Sequence, residues 1–74
     1  MSGQLLKQRR IIEYLPARLV CMKAGLQPAR LSAIERGYVV PREDELERLN
    51  HAIDELGAVR RRVKAFAAKL GWPL

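Results

Sequence analysis

A chain of 74 residues can form one small domain, and a domain of that size buries only about 60% of the surface of its unfolded chain. Hydrophobic residues make up 49% of the chain but aromatic residues only 5%, and this balance favours helices over a sheet. A single cysteine excludes an internal disulfide and a cysteine-rich zinc site. The sequence shows no catalytic set, phosphate-binding glycine loop or metal-ligand cluster, so we expect no enzyme, cofactor or metal site.

The formal charge of +6 is unevenly placed along the chain. Residues 1 to 42 carry eight Lys or Arg against two acids, residues 43 to 56 carry one against six, and residues 57 to 74 carry five against none. Two basic segments separated by an acidic one fit a polyanionic partner such as nucleic acid, although a well-solvated surface would give the same totals. Neither a signal peptide nor a membrane-spanning segment is recognisable, so we expect a cytoplasmic protein without a membrane partner.

The first predicted helix runs from about Gln4 to Tyr14. It ends there because Pro16 disfavours helical backbone at the residue before it. The spacing of its aliphatic residues does not choose between two helix faces. The candidate core residues are Leu5, Leu6, Ile11 and Ile12.

Two short helices with a glycine between them follow. The second begins at Pro16 or Ala17 and ends near Ala24, and Gly25 supplies the turn. The third begins at Gln27 and Pro28, since proline is tolerated in the first helical turn, and buries an aliphatic pair three residues apart. This arrangement predicts a helix-turn-helix. The expected core residues of the two helices are Val20, Cys21, Ala24, Leu31 and Ile34.

A fourth helix is predicted after Pro41, where three consecutive acids lie at the positive end of the helix dipole. Asn50 and His51 are expected to face outward, and the lone histidine is a poor metal ligand. Gly57 either ends this helix or is carried through it, so the sequence leaves the continuity of the last two helices open. The expected core residues are Leu46, Leu49, Ile53 and Leu56.

Residues 57 to 74 predict a basic amphipathic C-terminal helix. Its apolar residues recur at intervals of four, three and four, while five Lys or Arg occupy the other faces. Such a helix either packs on the bundle as a fifth helix or pairs two copies of the chain. The candidate dimerisation residues are Val59, Val63, Phe66, Leu70 and Trp72.

A string of spaced residues between Leu6 and Leu56 resembles the lambda-repressor/Cro-like (XRE) family of DNA-binding domains. The family's pattern of glycine and aliphatic, Ile/Leu-Ser-x-Ile-Glu-x-Gly, proline and Leu-x-x-Leu is matched in register. The matching residues are Gly25-Leu26, Leu31-Ser32-Ala33-Ile34-Glu35-Arg36-Gly37, Pro41 and Leu46-Glu47-Arg48-Leu49.

The resemblance implies a compact, all-α, five-helix domain, with a helix-turn-helix DNA-binding domain in residues 1 to 56. It further implies a transcriptional regulator of the phage or bacterial repressor type, a homodimer that binds double-stranded DNA and inserts residues 27 to 36 into the major groove. The half-sites would then lie about 34–36 Å apart.

The candidate DNA-binding residues follow from the resemblance. Of the five positions expected in the major groove, three are Pro or Ala, so only Gln27 and Ser32 can hydrogen-bond to bases. The remaining candidates are basic or aromatic residues suited to phosphate contact. The full set is Arg18, Gln27, Pro28, Ala29, Arg30, Ser32, Ala33, Arg36, Tyr38 and Arg42.

The resemblance also implies that Arg10 pairs with Glu35 and pins the first helix to the third, although Arg9 competes for that role. Cys21 matches a position where the family prefers a small buried residue, so we interpret it as core. Val39 and Val40 lie either under the fourth helix or in a contact between subunits.

A second function remains open from the sequence alone. A helix-turn-helix whose Pro- and Ala-rich face no longer reads DNA could be a protein interaction module. Its partner would be bound through Val39, Val40 and the C-terminal helix.

Overall fold

The computed structural model describes residues 3–71. Within that range the chain forms four α-helices and no strand, so the expected all-α class is confirmed. The expected count of five helices is wrong, because the fourth helix passes through Gly57 without a break and reaches 28 residues. The helices are α1 (Gly3–Ile12), α2 (Ala17–Ala24), α3 (Pro28–Glu35) and α4 (Glu43–Leu70).

Helix α1 buries a different face from the one that its aliphatic residues suggested. Leu6 is fully buried, but Leu5, Ile11 and Ile12 are 51%, 53% and 73% exposed, so three of the four predicted core positions were wrong. The buried face is centred on Leu6 and takes the small residue Gly3 from the preceding turn. Leu6 is therefore the one large side chain that α1 buries in the core.

The chain reverses direction after α1 through Tyr14, whose φ of 56° is left-handed. Its N–H donates to the carbonyl of Ile11 at 2.9 Å, and the N–H of Leu15 donates to the carbonyl of Arg10 at 3.0 Å. These bonds satisfy carbonyls that the end of α1 would otherwise leave free. The reversal leaves the Tyr14 ring on the surface and directs Leu15 into the core.

Helices α2 and α3 begin and end close to the predicted residues. Gly25 has the left-handed φ of 70° that a helix C-terminus favours, and Pro28 is the first residue of α3. Three residues suffice for the connection, so the two eight-residue helices pack directly against each other. The core that they share with α1 and α4 consists of Leu6, Leu15, Val20, Cys21, Ala24, Leu31, Ile34, Leu49, Ala52 and Ile53.

Helix α4 starts with one half of a capping box, the half supplied by the side chain of Glu45. The backbone N–H of Arg42 donates to Oε1 of Glu45 at 2.8 Å, which ties the entry of the helix to its third residue. Leu49 and Ile53 are buried as predicted, and Leu46 and Leu56 pack at the edge of the core. Glu45 is buried as well, which the helical spacing of the apolar residues did not predict.

The C-terminal half of α4 extends beyond the other helices. At 1.5 Å per residue the helix is about 42 Å long, which accounts for overall extents of 44 × 19 × 18 Å. In the described residues after Leu56, only Gly57 and Ala67 are buried. Residues 57 to 70 thus belong to a helix shared with the preceding domain and are not a separate fifth helix.

Candidate functional site

The outer side of α3 is the predicted DNA-contacting surface, and the structure leaves it open. Leu31 and Ile34 occupy the inner side of the helix and are buried. The predicted contact residues lie on the opposite side, over about two and a half helical turns. Gln27, Pro28, Ala29 and Arg36 are exposed, and Ser32 and Ala33 are half-buried.

The segment from residue 14 to residue 42 has basic side chains but no exposed acid. Its single acid is Glu35, which is only 9% exposed and is held by a neighbouring arginine. Arg18 and Arg36 are exposed, and neither forms an ion pair within residues 3–71. Arg42 is 68% exposed but lies 3.4 Å from a carboxylate oxygen of Asp44. The positive potential of α2 and α3 is therefore carried mainly by Arg18 and Arg36.

The expected pair between Arg10 and Glu35 is present. Arg10 donates from Nε and Nη2 to the two carboxylate oxygens of Glu35, at 2.8 and 3.1 Å. Its third nitrogen, Nη1, donates to the carbonyl of Leu15 at 2.9 Å. Arg9, the competitor, instead contacts Asn50 and Asp54 on α4. Arg9 thus joins α1 to α4, and Arg10 joins α1 to the end of α3.

Asn50 departs from its predicted outward position. Its side-chain nitrogen donates to the carbonyl of Leu46 at 3.0 Å, and its oxygen accepts from Arg9. His51 does face solvent, where its Nε2 lies 3.1 Å from Glu55. The difference arises because Asn50 faces α1 and His51 faces away from it.

Arg30 lies at the edge of the α3 surface but is engaged with the protein itself. Its Nε and Nη2 donate to the two carboxylate oxygens of Glu45, each at 2.8 Å. The hydrogen bonds from Arg30 and from the backbone of Arg42 lower the pKa of Glu45 to about 2. The sequence predicted Arg30 as a DNA contact. The structure places its guanidinium in a bridge between α3 and the start of α4.

The two adjacent valines in the loop between α3 and α4 have different environments. Val39 packs against the core, whereas Val40 is 88% exposed. Of the two alternatives left open by the sequence, packing under the fourth helix thus holds for Val39 only. Tyr38 is also exposed, and its backbone N–H donates to the carbonyl of Ala33 at 2.9 Å. Tyr38 and Arg42 therefore present their side chains to solvent on the loop that follows α3.

No side chain caps the N-terminus of α2 or of α3. In α3 few backbone N–H groups are left free to bind an anion, since Pro28 has no N–H. In α2 the first N–H groups are those of Ala17 and Arg18, next to the guanidinium of Arg18. An anion can bind such a helix start through backbone N–H groups and the helix dipole.

Cys21 is buried between α2 and its neighbours. Burial, and after it the charge of Glu35, raises the pKa of the thiol, which suits a core residue and not a nucleophile. No group of three or more His, Cys, Asp or Glu within residues 3–71 is placed to hold a metal ion. In the same part of the chain, no helix combines the length and the apolar character that crossing a bilayer requires.

The predicted dimerisation residues on α4 share one exposed stripe. Val59, Val63, Phe66 and Leu70 are each at least half exposed and lie on the same side of the helix. Trp72, the fifth of these residues, lies outside the described residues. The stripe is therefore available to a partner over about three turns of α4.

A scan against family models finds none that matches this chain, and searches of curated proteins and of solved structures find no significant match.

Proposed function

We propose that the chain binds double-stranded DNA through the outer side of α3 and acts as a transcriptional regulator of the phage or bacterial type. In this proposal α2 and α3 are the helix-turn-helix of a lambda-repressor-like domain. The observation that carries it is the α2 and α3 surface, which has exposed cations, no exposed acid and an open helix face. Duplex DNA matches such a surface because its affinity for proteins arises largely from phosphate neutralisation.

The dimensions of α3 suit the major groove. An α-helix with its side chains is about 10–12 Å across, and the major groove, about 12 Å wide, admits one. Gln27 and Ser32 would then face base edges, with Pro28, Ala29 and Ala33 available to touch thymine methyl groups. With only two hydrogen-bonding side chains, sequence preference would rest partly on the shape of the DNA.

Phosphate contacts are assigned to residues around this helix. Arg36 lies at its end, Tyr38 and Arg42 lie on the following loop, and Arg18 lies beside the uncapped start of α2. Arg30 has a different role in the proposal. Because its guanidinium is bound to Glu45, it positions α3 relative to α4 and does not read bases.

The homodimer stays a prediction. Its apolar stripe is exposed, but residues 57 to 71 carry five cations and no acid. Two copies paired along this segment would repel each other at low salt, and salt would screen the repulsion. Any self-association through the stripe should therefore strengthen with salt, opposite to DNA binding, and sedimentation equilibrium can separate the two trends.

The direct test is fluorescence anisotropy with a labelled mixed-sequence duplex, titrated at several salt concentrations. If Arg18, Arg36 and Arg42 each neutralise one phosphate, affinity should fall roughly 40-fold between about 50 and 200 mM salt. Arg36→Ala should weaken binding and reduce the slope of the salt dependence by about 1. Arg62→Ala is the matched control, because it removes the same charge from the exposed side of α4.

Equal effects of Arg36→Ala and Arg62→Ala would show that the duplex senses only net charge, which contradicts the proposed surface. An absence of binding at about 50 mM salt would favour the interaction module over the DNA-binding domain.

A further inference from the structure

A groove runs between the C-terminal half of α4 and the corner where α1 meets α2. We call it the α4 groove, and its volume is about 630 Å³. One wall is formed by Tyr14 and Leu19 and the other by Val59 and Val63, and Leu15 and Leu56 lie between them. It arises because α4 continues past the domain while the chain reverses at Tyr14.

The α4 groove has the form of a site for a helix. Leu15 is buried and Leu56 half-buried, so they form a recessed floor, whereas Tyr14 and Val63 are more than half exposed along the walls. An apolar channel beside one helix is the usual seat of an amphipathic partner helix. A flat membrane surface would reach the walls but not the floor.

The charge at the rim narrows the choice of occupant. Arg60 and Lys64 line the α4 groove, and neither pairs with an acid within residues 3–71. Arg60 lies over the ring of Tyr14, 5.2 Å from its centre. Among the five cations after Gly57, Arg61 alone binds an acid of the described chain, Glu13. The rim therefore offers unpaired positive charge directly beside apolar surface.

A second copy paired through the same segment fits this rim poorly, because it would bring the same five cations and no acid from its own residues 57 to 71. Opposed like charges disfavour a pairing, whereas carboxylates at the rim would both attract a partner and fix its orientation. The complementary occupant is thus a helix with one apolar face and acidic flanks.

We propose that the α4 groove binds an acidic amphipathic helix of a partner protein. The apolar face of that helix packs on Val59 and Val63, and its carboxylates pair with Arg60 and Lys64. The proposal does not depend on DNA binding, since the α4 groove and the outer side of α3 have no residue in common.

The probe is a labelled synthetic helix of about three heptads with leucine at the core positions and glutamate elsewhere. A second peptide of the same length carries lysine in place of glutamate. The acidic peptide should bind the full chain roughly tenfold or more tightly than the basic one in anisotropy titrations. Val59→Ser with Val63→Ser should weaken the acidic peptide roughly tenfold, the scale of one interface hot spot.

Two further variants separate groove binding from general charge attraction. Ile11→Ser with Met22→Ser removes two exposed apolar side chains outside the α4 groove and should leave peptide binding unchanged. Arg60→Glu with Lys64→Glu should reverse the preference, so that the basic peptide binds more tightly. All six positions are exposed, so circular dichroism should show the wild-type fold in each variant.

Four results would overturn the proposal. Equal binding of both peptides, or no effect of the Val59 and Val63 changes, would place the contact elsewhere. A dimer in sedimentation equilibrium that those changes abolish would make the groove an interface between copies of this chain. Binding to phosphatidylserine vesicles without binding to the acidic peptide would make the segment a membrane-surface helix.

Discussion

Arg30 and Glu45 form a two-pronged bridge in which both nitrogen-to-oxygen distances are 2.8 Å. The carboxylate also accepts the backbone N–H of Arg42, so it caps α4 while it holds α3. One buried acid thus fixes the angle at which the outer side of α3 is presented. The planar guanidinium matters here, because lysine cannot supply two parallel donors.

Arg30→Ala should therefore lower the melting temperature, and Arg30→Lys should recover only part of the loss. Arg36→Ala is the control, since Arg36 lies one turn and a half further along the chain and is exposed without an ion pair in the described residues. Its melting temperature should stay close to wild type. If the two alanine variants melt together, the bridge does not contribute to folding.

The pH dependence of stability should carry the signature of Glu45. Its pKa is about 2 in the folded chain against an ordinary value of 4.5, chiefly because Arg30 donates to its ionised form. A lowered folded-state pKa stabilises the fold above about pH 4.5, and this contribution disappears as the pH falls towards 2. Urea unfolding measured between pH 7 and pH 2 should show that loss.

Glu45→Gln should be less stable than wild type at pH 7, and its stability should change less over the same interval. Glu55→Gln is the matched control. The pKa of Glu55 is also lowered, mainly by a hydrogen bond from Lys23, but the pair is nearly half exposed and contributes less. If the stability of Glu45→Gln changes with pH as much as that of wild type, groups other than Glu45 cause the loss of stability in acid.

Arg10→Ala should destabilise the domain strongly. Glu35 would remain buried without its partner, and breaking a buried pair from one side costs about 3–5 kcal/mol. In a domain of this size each kcal/mol lowers the melting temperature by about 4–8 °C. Arg9→Ala, at the adjacent residue, removes a contact to the exposed Asp54 and should cost about 1 kcal/mol or less.

Two helical glycines should respond oppositely to alanine. At Gly3 a Cβ would lie 1.9 Å from the carbonyl oxygen of Ile34, so α1 must move away from α3. We expect Gly3→Ala to lose about 1–3 kcal/mol, the range for overpacking. At Gly57 a Cβ would lie 2.9 Å from Oε2 of Glu13, the far end of a flexible side chain that pairs with Arg61 and must shift. Gly57→Ala should gain up to about 1 kcal/mol from helix propensity, less the cost of moving that pair. Chemical denaturation of both variants tests the contrast.

The sequence predicted the parts of the fold that depend on local signals. Pro16 and Gly25 mark the two ends of α2 and Pro28 marks the start of α3, because proline fixes its own φ and glycine permits the left-handed turn. Leu49 and Ile53 were correctly placed in the core by helical spacing. These inferences require nothing from distant parts of the chain.

The features that the sequence did not predict depend on tertiary packing. Ile11 and Ile12 fit a helix face as well as Leu6 does, and only the packing of α1 against α3 decides which face is covered. The continuity of α4 through Gly57 depends on contacts that outweigh glycine's low propensity. The bridge from Arg30 to Glu45 joins residues fifteen apart, and no local pattern of charge foretells which arginine turns inward.

Because α4 is uninterrupted, the backbone amides of its two halves should differ in their protection from exchange with solvent. Its first half lies against the core, so its amides should exchange with solvent only when the whole domain unfolds. Beyond Lys64 the described helix buries Ala67 alone, and a helical end of that length is marginal without packing. Amide exchange should therefore quicken along α4 towards Leu70, and a helix seated in the α4 groove should slow it first at residues 59 to 64, which line the groove.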